Sequence, residues 1–321
     1  FWKLNYGWYI KNSKKLFKRK HIELLPASEN NILDSLLFLF DENWEEEGAE
    51  YPYEIITYLL DCYYVLPERP DLASLFCWQA INHSYYNELL GDLSRRCSDT
   101  DGVKKVCEDI LSNKAKYDPI LQQFIVKLPI KVFHYVASYM LKGYIMDRAN
   151  IDRRYRASSY DTIKRYIPVI RDIIEKSYGE ALRNISNPSI MNNKISLNII
   201  DGAKSRQIIH SFALKLKELL IRKETEITFY EAETREAFQF TDQDKIYFIL
   251  FGILYASRCN IFHGNVAALM NSINADKETF KMYTDIFLLE YTILAMHMNY
   301  LGQLSDEVLE KIKKNSDLMF L

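Results

Sequence analysis

The chain has few of the residues that interrupt helices: ten glycines and eight prolines in 321 positions. Long apolar runs with so few breakers favour helices over sheets. Uninterrupted apolar stretches of about 18 residues are also lacking, so no membrane-spanning segment is expected. The basic segment KNSKKLFKRK near the start is not followed by the apolar core of a secretory signal. Neither sign of charge predominates, because the net charge is only −2. Any surface for a polyanion must therefore be local. The five cysteines, Cys62, Cys77, Cys97, Cys107 and Cys259, are odd in number and form no C-x-x-C pair. A reducing, cytoplasmic setting is expected, with no metal site and no cofactor. Missing too are a phosphate-binding G-x-x-x-x-G-K-[ST] loop, a G-x-G-x-x-G turn after a strand, H-E-x-x-H and G-x-S-x-G. Those absences argue against the nucleotide-binding, zinc-protease and serine-hydrolase classes that carry them.

What the chain does hold is 48% apolar residues, 26% charged residues, 23 tyrosines and 17 phenylalanines. That is the composition of a globular, largely helical protein. Helices are expected near residues 1–20, 53–66, 70–91, 101–113, 118–147 (kinked at Pro129), 160–183, 202–223, from Thr241 into the Tyr255–Asn265 stretch, and 276–301, with a short polar-faced helix at the C-terminus. ISLNII (195–200) and EITFY (226–230) read as one or two minor strands. The Asn, Ser and Pro-rich stretch from Ser186 to Asn193 is the best candidate for a boundary. It divides an N-terminal helical region, 1–190, from a C-terminal core, 191–321. The acidic run DENWEEEGAE reads as a solvated loop rather than a metal site.

Between Lys142 and Tyr166 lies a basic, aromatic-interleaved segment. Seven cations, Lys142, Arg148, Arg153, Arg154, Arg156, Lys164 and Arg165, face three carboxylates, and Tyr144, Tyr155, Tyr160 and Tyr166 are interspersed. Arginine forks on phosphates and tyrosine faces under unstacked bases would hold single-stranded RNA. A connecting loop whose arginines pair with nearby carboxylates fits the same pattern. His21, His134, His210 and His297 lie in separate segments. Of these, His134 and His297 sit in apolar helices, where core histidines are expected.

The most pointed pattern is YASRCNIFHGN, from Tyr255 to Asn265, where an apolar helix gives way to a polar turn. Arg258 and His263 stand five residues apart, roughly 7.5 Å along a helix and about 140° around it. They converge only if the helix ends between them, and Gly264 and Asn265 are residues expected just past a helix end. The run R-C-N-I-F-H-G resembles the R-x-x-x-x-H motif of HEPN domains, all-helical modules of prokaryotic immunity and toxin systems. Many of these are metal-independent endoribonucleases. Family motifs often carry Asn directly after the Arg; here Cys259 stands there and Asn260 follows. FCWQAINHSYY also resembles the aromatic, Asn-bearing helix that precedes the motif helix in larger members. On residue patterning alone, Trp78 and Tyr85 there read as core.

The resemblance implies an all-α, HEPN-like helical bundle with additional N-terminal helices and an RNA substrate. It further implies a homodimer in which two motifs face each other, and an antitoxin or defence-system partner protein. Arg258 would grip the phosphate and His263 would serve as general base or acid, supported by Asn260 and Tyr255. These residue types suit the task, because RNA carries its own nucleophile in the 2′-OH. The competing expectation is a catalytically silent HEPN-like module that binds RNA or protein and serves for dimerisation.

Overall fold

In the computed structural model, residues 32–46, 51–90, 98–152, 154, 158–192, 194–228, 235–262 and 277–319 are described. The expected first helix, Cys97, Arg153, Tyr155, Arg156 and everything from His263 to Asn265 lie outside them. The described chain is mostly helical with minor strands, as expected. It divides into two compact units, one of residues 1–128 with 257–321, the other of residues 129–256. The boundary expected at 190/191 falls inside the second unit.

The first unit comprises α1 (Ile32–Ser35), a 3₁₀ turn at Glu42–Glu45, α2 (Tyr53–Val65), α3 (Pro70–Leu90), α4 (Asp99–Ser112) and α5 (Lys114–Ile125). After the chain returns come α12 (Lys277–Tyr300), α13 (Asp306–Ile312) and a closing 3₁₀ turn at Lys313–Leu318. Helix α12 is the axis. From Thr279 to Met298 every residue except Lys281 is buried, because α3, α4, α5 and α13 pack around it. A helix apolar on all sides can only be an interior one.

Encasement forces the polar groups of α12 to find partners inside. Thr284 and Thr292 donate to carbonyls one turn back, Phe280 O at 3.1 Å and Leu288 O at 2.9 Å. The Tyr291 hydroxyl accepts from Leu39 N at 2.5 Å and meets the Tyr63 hydroxyl at 2.6 Å. His297 joins α3 to α4: its Nδ1 lies 2.8 Å from Ser84 Oγ and its Nε2 lies 3.3 Å from Asp109 Oδ2. Asp109 also pairs with Lys105. Burial pushes the Asp109 carboxyl up, but hydrogen bonds from His297 and Lys105 outweigh that and hold it below its ordinary value.

Glu290 is different. It is fully buried, and neither carboxylate oxygen has a hydrogen-bond partner among the described residues. Burial pushes its carboxyl well up, and the neighbouring Ser74 hydroxyl, outside hydrogen-bonding geometry, offsets only part of this.

The expected aromatic stripe on α3 is core. Trp78 and Tyr85 are buried, and the Tyr85 hydroxyl donates to Asn82 Oδ1 at 2.6 Å. Within the acidic run, Glu42–Glu45 form a 3₁₀ turn. Asp41 is buried at its start and accepts from Asn43 N and Ser305 N, and Trp44 Nε1 donates to Gln303 O. The four described cysteines are free and buried.

The second unit holds α6 (Ile130–Arg148), α7 (Ser158–Tyr166), α8 (Pro168–Ile185), α9 (Gly202–Arg222) and α10 (Asp242–Tyr247), with a π-helical stretch at Phe248–Tyr255. Proline corrects two expectations. Pro129 does not kink a long helix but stands before α6, and Pro168 opens α8 after a break at Ile167. A proline lacks the N–H that would continue a preceding helix, so it suits the first turn of a new one. Two antiparallel hairpins replace the two lone strands. β1 (Ser189–Met191) pairs with β2 (Lys194–Ser196), and β3 (Glu224–Thr228) pairs with β4 (Arg235–Gln239). The expected boundary stretch is thus the first hairpin. Helices α6 and α7 approach closely at Gly143, where a Cβ would lie 2.3 Å from the Tyr160 ring. Among the described residues, no single helix is long and apolar enough to cross a membrane.

Two predictions follow from α12. A raised glutamate favours folding while protonated, and that contribution is lost as pH rises above the ordinary value of 4.5 towards the folded value. Glu290→Gln therefore gains stability relative to the native chain as pH rises through that window, at up to about 1.4 kcal/mol per pH unit. Parallel denaturation profiles at pH 5 and pH 8 would contradict this. Asp109→Ala leaves His297 and Lys105 without their shared carboxylate and should cost about 3 kcal/mol at neutral pH by urea unfolding. A loss under about 1 kcal/mol would mean that the network contributes no more than an exposed pair.

Candidate functional site

The motif is presented by a helical run whose start was legible and whose middle was not. Thr241 caps α10 as expected: its Oγ1 accepts from Asp244 N at 3.0 Å while Asp244 Oδ2 accepts from Thr241 N at 2.9 Å. Lys223, in the left-handed conformation at the end of α9, pairs with Asp242 in the same turn. The run then widens into the π-helical stretch, buried from Phe248 to Leu254. Widening a helix disturbs its regular ladder of carbonyl acceptors. Two tyrosines one turn apart on α6 meet carbonyls one turn apart here: Tyr139 donates to Gly252 O at 2.5 Å and Tyr135 to Ala256 O at 3.0 Å. Tyr255, a candidate supporting residue, is half-buried with its ring edge-on to Phe251.

Helix α11 (Ala256–Phe262) carries Arg258. Its side chain is largely covered, with 18% exposed. Its Nη2 lies 3.5 Å from Asp99 Oδ2, and its Nη1 lies 3.9 Å from Cys259 Sγ. Asp99 is the first residue of α4, whose N-terminus is closed by a capping box of Ser98 and Asp101. The contact is long for an arginine and a carboxylate, and Asp99 is half-exposed. The backbone is helical through Phe262, so no break falls between Arg258 and that residue. His263 lies outside the described residues. The side chain of Asn260 lies outside them as well.

Within the basic segment, the cations that are described mostly face carboxylates. Arg148 lies 3.3 Å from Glu175, Arg154 2.9 Å from Asp152 and Lys164 2.5 Å from Asp147. Arg165 is exposed. Tyr144 and Tyr160 are buried, and Tyr166 stacks on Phe251. Arg148, Arg154 and Lys164 are thus paired as the connecting-loop alternative has it, although exposed pairs of this kind are weak enough for a phosphate to displace.

Sequence reading missed Asp99, because nothing in a linear pattern joins positions 99 and 258. It also missed a meeting of histidines: His134, expected in the core, lies half-buried at the surface with its Nε2 2.8 Å from His210 Nδ1. Burial, the neighbouring His210 and Lys131 all push the His134 imidazole below its ordinary value. Among the described residues, no group of three or more His, Cys, Asp or Glu side chains could hold a metal ion.

No family model matches the chain, and comparison with curated proteins and with solved structures gives no significant match.

A long, half-exposed ion pair contributes little to folding. Asp99→Asn should shift unfolding free energy by less than about 1 kcal/mol. A larger loss in urea denaturation would make Asp99 a structural anchor of α4 rather than a loose partner of Arg258.

Proposed function

We propose that this chain is a HEPN-type, metal-independent endoribonuclease of a prokaryotic toxin or defence system, with Arg258 as phosphate clamp and His263 as general acid or base. The observation that carries the reading is the setting of Arg258. The side chain of a permanent cation is largely covered on a helix that continues a capped, buried π-helical run, and the half-exposed Asp99 carboxylate stands 3.5 Å from it. A guanidinium keeps its charge, and its fork can grip two oxygens of a phosphate.

In this chemistry the 2′-OH of RNA attacks the adjacent phosphorus, a base takes the hydroxyl proton, and the 5′-oxygen leaves with a proton from an acid. The products are a 2′,3′-cyclic phosphate and a 5′-hydroxyl. An imidazole serves both proton transfers near neutrality, because its unperturbed pKa is about 6.5. The arginine fork offsets charge building on the nonbridging oxygens. A homodimer with facing motifs would place two histidines in one cleft, one for each transfer. The second reading, a silent RNA- or protein-binding module, is favoured by Cys259 beside the arginine and by Asp99 as its standing partner.

The deciding experiment incubates the purified chain with mixed cellular RNA in EDTA beside Arg258→Ala and His263→Ala. Cyclic-phosphate ends from the native chain, reduced at least about 100-fold in both variants, are expected. Equal cleavage by all three proteins would remove both residues from the mechanism. RNA bound but uncut by the native chain would favour the silent module.

A further inference from the structure

The ribonuclease reading leaves unused the histidine pair of the second unit. His134 stands in the second turn of α6 and His210 in the third turn of α9, two helices packed against each other. The backbone beneath them is anchored by the buried Phe133, Val136 and Ala137 on α6 and by Phe212 and Ala213 on α9. The rings are held 5.1 Å apart between centroids and tilted by 51°. Facing nitrogens 2.8 Å apart require that at least one ring present a lone pair, since two N–H groups cannot donate to each other.

We propose that His134 Nε2 and His210 Nδ1 form a two-imidazole site for a late first-row transition-metal dication such as Zn²⁺. Metal–imidazole bonds of about 2.0–2.1 Å put two nitrogens about 2.9 Å apart at a right angle and about 3.4 Å apart at the tetrahedral angle. The observed 2.8 Å separation needs to open by about 0.1 Å for the right angle and about 0.6 Å for the tetrahedral one, with each ring turning its lone pair to the ion and carrying its proton on the other nitrogen. Neutral imidazoles are the preferred ligands of this class of ion, whereas magnesium and calcium take oxygen donors. The surroundings set the limits of the site. Lys131 opposes positive charge at His134, and among the described residues no third His, Cys, Asp or Glu completes a ligand set. The bound ion therefore keeps positions for water or an added ligand, and it ties α6 to α9.

Zinc sulfate alone is the probe, with the native chain, His210→Asn and His134→Gln compared by calorimetry and thermal unfolding. Both substitutes are uncharged hydrogen-bonding side chains that can replace the contact between the helices, and His210 is exposed, so at least that variant should fold. The native chain is expected to bind one zinc more than either variant, or to bind it at least about tenfold more tightly, and to show a rise in unfolding temperature that both variants lose. Identical zinc isotherms in the three proteins, or no binding by the native chain, would overturn the proposal. The test uses no RNA, so its outcome is independent of Arg258 and His263.

Discussion

The first unit depends on a helix with no outside. Because α12 is enclosed on every face, each polar atom it carries must be satisfied by its neighbours or remain uncharged. This one requirement explains features that otherwise look unrelated. Threonines turn back onto their own helix, Tyr291 ties the extended segment at Leu39 to α2 through Tyr63, and His297 links α3 and α4. Glu290 has no hydrogen-bond partner among the described residues, and burial pushes its carboxyl well up. The segments surrounding α12 come from both ends of the described chain, so the unit forms only when distant stretches meet.

In the second unit the corresponding constraint is the π-helical stretch. Its residues are apolar almost without exception, so side chains raise no difficulty; the backbone does. Tyr135 and Tyr139 meet two of its carbonyls from one face of α6, at the helical spacing of four that the two carbonyls also have. Both hydroxyls thereby gain partners where water is largely excluded. The stretch leads into α11 and Arg258, so irregular backbone immediately precedes the residue on which the functional proposal rests. Wide turns of this kind recur next to functional residues.

Arg258 and the histidine pair illustrate two ways in which a cationic or metal-ligating group can await a ligand. Arg258 is permanently charged and stands 3.5 Å from the half-exposed Asp99 carboxylate, so a ligand that suits it is another anion. His134 and His210 hold each other, and a metal ion would replace a shared proton. In both, the resting contact is made by side chains far apart in sequence: positions 99 and 258, and 134 and 210.

The helical class, the long terminal helix, the capping box at Thr241 and the core stripe on α3 were legible in the sequence, because each is a local pattern of spacing that one element satisfies by itself. Tertiary structure decided the rest. Pro129 and Pro168 stand at the starts of new helices rather than bend continuous ones, and each strand has its hairpin partner because a lone strand cannot satisfy its backbone. Asp99 reaches Arg258, and two histidines from separate segments meet, only because helix packing closes those distances. Hydrophobic periodicity says which face of a helix is buried; it carries no information about which distant helix will cover it.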